Sequence, residues 1–131
     1  EGEDSYNMLP VFLGENYKKP IREAIVHHSI NGSFSIRQGK WKLEFCPGSG
    51  GWSFPTKKDL KELDLYPVQL YNLEEDIAEE NNLVESNPEL VEELTTLMKK
   101  YIDDGRSTPG VPQQNEGETP FLPEGFSLKD Q

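Results

Sequence analysis

The sequence has one cysteine and few apolar residues, and both shortages limit what the chain can be. Cys46 alone cannot form an internal disulfide, although a single cysteine does not decide the compartment. Only 34% of the 131 residues are hydrophobic, and the mean hydropathy is −0.73. No run approaches the roughly 18 apolar residues of a membrane span. The length fits one domain with a modest core, so much of the chain is expected to be loop, tail or a face that packs on another unit.

Positive charge is scarce overall, and most of it lies in the first half of the chain. The net charge of −11 argues against nucleic acid and against an anionic membrane as partners. The stretch Lys18–Lys42, called the basic segment below, holds six bases and one acid, whereas residues 62–104 hold thirteen acids and two bases. Both halves can be interpreted as solvated surface. The basic segment also suggests a site close to an anionic ligand.

Three stretches have the residue patterns of β-strands. Ala24–His28 is rich in β-branched residues and suits a central strand. Apolar residues alternate through positions 34–45 on either side of Gln38-Gly39, which predicts a hairpin with one apolar face and a turn at that dipeptide. Val68–Leu73 carries apolar residues in both alternating sets, which predicts a strand that is buried on both faces.

A long amphipathic helix is predicted between Asn87 and Gly105. Asn87 suits the N-cap, Pro88 the first helical position and Gly105 the position after the C-cap. The apolar residues of this stretch follow a helical period: Leu90, Val91, Leu94, Leu97, Met98 and Tyr101. The sequence therefore predicts an α+β fold, a small antiparallel sheet of about four strands with one long C-terminal helix packed on a face. We expect residues 1–105 to form this subdomain and residues 106–131 an extended irregular tail.

Two adjacent histidines are the only ones in the chain, and their spacing argues against a metal site. His27 and His28 lie in the first predicted strand, where neighbouring side chains point to opposite faces and so cannot easily share one ion. A third ligand at suitable spacing is also lacking. An imidazole can donate a hydrogen bond to an anion or a hydroxyl group, so one of the two histidines is a candidate ligand contact. A histidine held by backbone groups is the equally plausible alternative.

Six short motifs follow one another along nearly the whole chain. They are residues 9–14, His27-His28-Ser29, residues 36–43 (Ile-Arg-Gln-Gly-Lys-Trp-Lys-Leu), residues 69–73 (Gln-Leu-Tyr-Asn-Leu), Asn81-Asn82-Leu83 and residues 105–110 (Gly-Arg-Ser-Thr-Pro-Gly). As an ordered set they resemble the C-terminal subdomain of a type I sulfatase of the arylsulfatase kind. The resemblance implies a parent sulfuric ester hydrolase whose large α/β domain holds a formylglycine nucleophile, a calcium ion and the catalytic Lys and His residues. The smaller subdomain would pack beside it and help to wall the substrate pocket.

The family's nucleophile cannot be carried over to this chain. Its signature is Cys-x-(Pro or Ser)-x-Arg, whereas Cys46 is followed by Pro-Gly-Ser-Gly, with proline one position early and no arginine at the fifth position. No position matches the family's calcium ligands either. We therefore expect no catalytic residue, no metal ligand and no cofactor within these residues, and we expect the chain alone to be inactive.

The resemblance also indicates partners and substrate contacts. His28 is the first candidate for a substrate contact and His27 the second, while Arg106 is expected at the pocket rim from the resemblance alone. The implied partners are the N-terminal catalytic domain of the same parent chain and, as substrate, a sulfated carbohydrate or an aryl sulfate ester. The family is usually exported, and an uncovered docking face would favour self-association of the isolated chain.

A free-standing glycan- or protein-binding module is the alternative function. The loop at residues 46–65 departs most from the family pattern and carries Trp52 and Phe54, with Tyr66 next to it. Such aromatic side chains could stack on sugars. They could equally pack beneath the loop or against another domain.

Overall fold

Four strands and one long helix make up the fold in the computed structural model, which describes residues 5–16, 19–56 and 58–127. A one-turn helix α1 (Leu9–Phe12) precedes the sheet. The strands are β1 (Ile25–His28), β2 (Phe34–Gln38), β3 (Trp41–Glu44) and β4 (Gln69–Asn72), and the long helix is α2 (Pro88–Asp103). A 3₁₀ turn at Asp59–Lys61 lies between β3 and β4. Lys18 of the basic segment lies outside the described residues.

The sheet is an antiparallel meander, because each strand pairs with the one before it in the order β1-β2-β3-β4. This confirms the predicted α+β class. The prediction that the first strand is central was wrong, since among the described residues β1 is an edge strand. Its composition was misleading because Ala24 and Val26 pack toward the core, whereas Ile25 between them is 37% exposed.

The β2–β3 hairpin turns one residue later than predicted. Gln38 pairs with Trp41, so the two-residue connection is Gly39-Lys40. Gly39 has φ +58°, a left-handed conformation that favours glycine in tight hairpin turns.

The core lies between one face of the sheet and α2. Alternation places Ile36, Leu43 and Leu70 on this face, and all three are fully buried. Residues from α2 meet them at helical spacing, and those that are buried are Val91, Leu94, Thr95, Met98 and Tyr101. The helical stripe predicted from the sequence is therefore the stripe that covers the sheet.

Strand β4 is buried on both faces, as predicted. Leu70 and Tyr71 point to opposite faces and both are buried. Its outer edge is partly covered by a later segment, because the backbone N–H of Leu83 donates to the Leu70 carbonyl at 2.8 Å, and the Asn82 amide bonds to the backbone of Leu70 and Val68. These bonds satisfy edge groups that would otherwise be open to pairing.

The ends of α2 lie where the sequence predicted them, at Asn87 and just before Gly105. Asn87 occupies the N-cap position, but its side chain donates to the Leu83 carbonyl and makes no capping hydrogen bond. At the other end Gly105 has φ +64°, and the N–H groups of Gly105 and Arg106 bond to the carbonyls of Ile102 and Tyr101, respectively. This pair of bonds is the Schellman motif. None of the helices in the described ranges is long and apolar enough to cross a membrane.

The segment after α2 packs against the end of that helix and against the residue that follows β3. The Asn115 amide donates to the Ile102 carbonyl at 2.7 Å, and the Phe121 ring meets that of Phe45 edge-on at 5.0 Å between centroids. The division of the chain at residue 105 stays a prediction.

Candidate functional site: a basic groove

An open groove of about 1320 Å³ lies at the hairpin end of the sheet. Three parts of the chain form its walls: the approach to β1 at residues 19–25, the hairpin turn at residues 37–41 and the end of α2 with the loop after it. Tyr6 contributes from the N-terminal segment. The groove therefore brings together segments that are far apart in the sequence.

Six of the eight charged side chains that line the groove are cationic. The cations are Lys19, Arg22, Arg37, Lys40, Lys100 and Arg106. The two acids, Glu23 and Asp104, each have a partner inside the groove. Tyr101 donates its hydroxyl hydrogen to Glu23 at 3.0 Å, and Lys100 donates to Asp104 at 3.0 Å. Burial and the neighbouring Glu23 raise the pKa of Tyr101, and the hydrogen bond to Asp104 raises that of Lys100, so both side chains stay protonated at neutral pH.

Three of the cations lie over aromatic rings, and one of these is Lys100, whose ammonium is 5.8 Å from the centroid of the Tyr101 ring. The Arg22 guanidinium is 5.2 Å from the centroid of the Tyr6 ring, and the Lys40 ammonium is 5.4 Å from that of Trp41. Such contacts orient a cation without neutralising it. Lys40 also has one ion pair with the exposed Glu74, at 3.7 Å, which solvent screens strongly.

Arg106 lines this groove and shapes the loop that follows α2. Its Nε donates to the Thr108 carbonyl and its Nη1 to the Val111 carbonyl, at 3.0 and 3.2 Å. The Tyr6 hydroxyl donates to the Ser107 carbonyl at 3.0 Å and ties the same loop to the N-terminal segment. Arg106 thus lies in the wall of the groove. Its predicted place at the rim of a substrate pocket and its role as a substrate contact stay predictions.

The two histidines lie outside the groove. Both are exposed, and their partners in the register, Ser35 for His27 and Phe34 for His28, show that they point to opposite faces of β1. The His28 ring lies at the core-side margin, 6.0 Å from the Phe34 ring, with Nδ1 3.4 Å from the Ser29 carbonyl. The groove therefore joins Arg106 to four cations of the basic segment, Lys19, Arg22, Arg37 and Lys40, whereas the two histidines of that segment lie outside the groove. The described ranges contain no group of three His, Cys, Asp or Glu side chains placed to hold a metal ion.

A second cleft, of about 610 Å³, lies beside the loop that begins at Cys46. The thiol is buried and lies 3.2 Å from the Gly48 carbonyl. Burial, with a smaller effect from Glu44, raises its pKa, which suppresses the thiolate form. Gln69 holds the loop by donating to the carbonyls of Cys46 and Gly48 at 2.8 and 3.0 Å.

The aromatic residues of this loop are open to solvent. Trp52 is 87% exposed and Phe54 is 75% exposed. Neither packs beneath the loop, so that alternative is wrong for these two side chains.

A polar cluster on the sheet face opposite α2 escaped the sequence analysis. Lys42 Nζ lies 2.6 Å from Glu44 Oε1 and 2.7 Å from Glu79 Oε1. Burial lowers the pKa of Lys42, but the two carboxylates outweigh it and leave that pKa above its usual value. Strand alternation places Lys42 and Glu44 on one face, but nothing in the local pattern brings Glu79 to them.

Comparisons with known proteins place this fold in a family. No family model matches the chain. An N-acetylgalactosamine-6-O-sulfatase of Bacteroides thetaiotaomicron is 35% identical over 96 residues, which make up 73% of this chain and 18% of that protein. A solved structure from work on the metabolism of multiple glycosaminoglycans by the same organism aligns with 30% identity and a TM-score of 0.54, over 75% of this chain and 20% of that one. The chain belongs to the sulfatase family and has the fold of its C-terminal subdomain.

The chain spans only 18–20% of the length of these two relatives. What the whole proteins do therefore extends to this chain only as a proposal.

Proposed function

We propose that this chain is the C-terminal part of a larger sulfuric ester hydrolase that acts on a sulfated carbohydrate, and that it helps to wall the substrate pocket. The observation that carries the proposal is the 35% identity to an N-acetylgalactosamine-6-O-sulfatase along most of this chain. The formylglycine nucleophile and the calcium ligands of such an enzyme would lie on its other domain. Export of the parent protein is part of the same proposal.

The residues of this chain support a role in the pocket wall but not a role in the hydrolysis reaction. Cys46 lacks the family's surrounding signature, and burial disfavours its thiolate. Two of the described carboxylates, Asp59 and Asp76, are already engaged in local hydrogen bonds. Asp59 accepts from the Thr56 N–H and hydroxyl at 2.7 Å each, and Asp76 accepts from the N–H groups of Glu80 and Asn81. These bonds lower the pKa of both carboxyl groups and hold local turns.

Exposed apolar side chains support the presence of a larger partner domain. Ile30 is 71% exposed, Trp52 and Phe54 are 87% and 75% exposed, and Phe12 of α1 is 82% exposed. Exposed residues of this size are typical of surfaces that another unit covers. The proposed occupant is the N-terminal catalytic domain of the same chain.

The first experiment is to sequence the coding DNA upstream of the codon for Glu1 and to express the protein that the complete open reading frame encodes. We expect a frame of several hundred codons with the Cys-x-(Pro or Ser)-x-Arg signature, and sulfate release from a sulfated monosaccharide by the complete protein but not by residues 1–131. Sulfate release by residues 1–131 alone, or an upstream frame without the signature, would contradict the proposal.

Within the complete enzyme, His28 is proposed as a substrate contact. Its imidazole is exposed at the end of β1, where the ring lies beside Phe34. We expect His28→Ala to lower kcat/KM by about tenfold, the loss of one hydrogen bond to a charged group. His27→Ala is the matched control because that side chain points to the opposite face, and unchanged kinetics for His28→Ala would remove the assignment.

A free-standing glycan-binding module is the second candidate, and one observation favours it. Trp52 and Phe54 offer open aromatic faces on which sugar rings can stack. Under this alternative the isolated chain binds an uncharged oligosaccharide, and Trp52→Ala abolishes binding. A titration of the isolated chain with neutral and sulfated oligosaccharides separates the two functions.

A further inference from the structure

We propose that the basic groove binds a sulfated stretch of the glycan through its ionised sulfate groups, at a site separate from the sulfate that is hydrolysed. The inference deepens the proposed function and rests on it for the class of ligand. Its physical basis is the local charge of the groove, which opposes the charge of the whole chain.

The excess of positive charge in the groove is available to a ligand. Both acids that line the groove are already bonded to groove residues, Glu23 to Tyr101 and Asp104 to Lys100. The Tyr101 hydroxyl leaves the charge of Glu23 in place, but six cations against two acids still give the groove lining a net positive charge. Among the described residues, the long, exposed contact with Glu74 is the one ion pair of the Lys40 ammonium. A chain with net charge −11 that gathers six cations in one groove creates a local potential that attracts anions.

The shape of the groove favours an extended ligand over a single ion. The cations come from separate parts of the lining, with Lys19 and Arg22 before β1 and Lys100 at the end of α2, and a volume of about 1320 Å³ exceeds what one sulfate group fills. Trp41 and Tyr6 add aromatic surface to the same lining. A sugar backbone that carries several sulfates matches this combination of cations and aromatic rings.

The groove lies apart from His28, the residue proposed above as a substrate contact. Ile25 at the start of β1 lines the groove, whereas His28 at its end does not. Three residues of strand place these ends roughly 10 Å apart. One chain of sugars could therefore contact both ends of β1, which would let the groove select substrates that carry further sulfates.

The test measures binding by residues 1–131 with isothermal titration calorimetry. The probes are a sulfated glycosaminoglycan oligosaccharide of defined length, its desulfated counterpart, inorganic sulfate and a single-stranded oligonucleotide. The groove variant is Lys19→Gln with Lys40→Gln. The matched control is Lys58→Gln with Lys61→Gln, which removes two exposed lysine charges outside the groove.

We expect the groove variant to bind the sulfated oligosaccharide roughly fivefold to tenfold more weakly and the control variant less than twofold more weakly. The desulfated oligosaccharide and inorganic sulfate should bind at least tenfold more weakly to the unsubstituted chain. The proposal would be overturned if both variants lost affinity equally, if the groove variant lost none, or if the unsubstituted chain did not bind at all. It would also be overturned if the desulfated sugar or the oligonucleotide bound as tightly as the sulfated oligosaccharide. If inorganic sulfate bound as tightly as the sulfated oligosaccharide, the claim that the groove binds an extended ligand would be overturned.

This outcome is independent of the hydrolase test, because binding to residues 1–131 is measured without any reaction. A groove that binds while the upstream frame lacks the sulfatase signature would remove the proposed function alone. If the complete enzyme released sulfate but the groove did not bind the sulfated oligosaccharide, this inference alone would be removed.

Discussion

The two faces of the sheet differ in what holds them together. The face under α2 is dry, with Ile36, Leu43 and Leu70 fully buried against Leu94 and Met98. The opposite face is organised by side-chain polar contacts. On that face Lys42 joins Glu44 and Glu79, and the buried Tyr71 donates to Gln69 Oε1 at 2.8 Å.

The difference shows that the apolar face and the polar face make different contributions to the stability and specificity of a small domain. Buried apolar area on one face supplies most of the free energy of folding, because it is non-directional and scales with the area removed from water. The polar face contributes less net free energy per contact, but its directional bonds hold the loop after β4 in one position. Substitutions on the two faces should therefore differ in size and in pH dependence.

Leu94→Ala should have the largest effect, since Leu94 is fully buried at the centre of the dry face. We expect the free energy of unfolding to fall by about 2–5 kcal/mol, from lost transfer free energy and the cavity left behind. Urea denaturation followed by circular dichroism measures it. Leu65→Ala, at a side chain that is 40% exposed, is the control and should cost less than about 1 kcal/mol. Equal losses at the two leucines would contradict the contrast between buried core and surface.

Gly105 follows the C-cap of α2, the helix that covers the dry face, and substitution there should destabilise the end of the helix. A Cβ at Gly105 would clash with the Gln113 carbonyl oxygen, and φ +64° is unfavourable for alanine. We expect Gly105→Ala to cost about 2 kcal/mol, measured as above. Gly117→Ala, where a Cβ meets nothing within 4 Å, is the matched control, and a Gly105→Ala protein as stable as this control would contradict the steric argument.

On the polar face, Lys42→Met should cost about 1 kcal/mol. The ammonium bridges two carboxylates that would otherwise repel each other, but partial solvent contact limits the gain. Lys99→Met is the control because its pair with Asp103 is exposed and lies within one helix, so we expect a loss below about 0.5 kcal/mol. A loss for Lys42→Met that does not exceed the control would show that the polar cluster adds no stability.

Local patterns in the sequence predicted the elements but not their neighbours. The helical period of Leu94 and Met98 and the alternation through Ile36 and Leu43 depend on residues close in sequence, so both could be predicted. The edge position of β1 could not, because strand order depends on which later segments pair. Composition was no guide, since Ala24 and Val26 bury only one side of the strand.

The candidate site shows the same limit. The excess of bases in the basic segment was visible, and Arg106 was expected at a rim, but nothing local shows that residues 19–25, the hairpin turn and the end of α2 meet in one groove. The Lys42–Glu79 bond likewise joins residues 37 positions apart. Contacts of this kind are fixed by the packing of the whole domain, which short-range patterns do not encode.

The smallest expected effect concerns Tyr71 and appears only at high pH. Burial, with contributions from Glu44 and Glu79, raises the pKa of Tyr71 from its ordinary value of 10.0 to about 12. The folded state therefore keeps the proton while the unfolded chain loses it. The stability that Tyr71 contributes is fully present below pH 10 and is lost as the pH rises from about 10 to about 12.

Tyr71→Phe removes this titration along with the hydrogen bond to Gln69. We expect the stability advantage of the unsubstituted protein over Tyr71→Phe to shrink by about 1 kcal/mol between pH 9 and pH 11.5, since the partly hydrated hydroxyl realises only part of the shift. Urea titrations of both proteins across this range measure the difference, and the loss from Lys42, which falls in the same range, cancels between them. A difference that stays constant with pH would show that the polar face does not hold the Tyr71 proton, and the contrast between the two faces would then rest on packing alone.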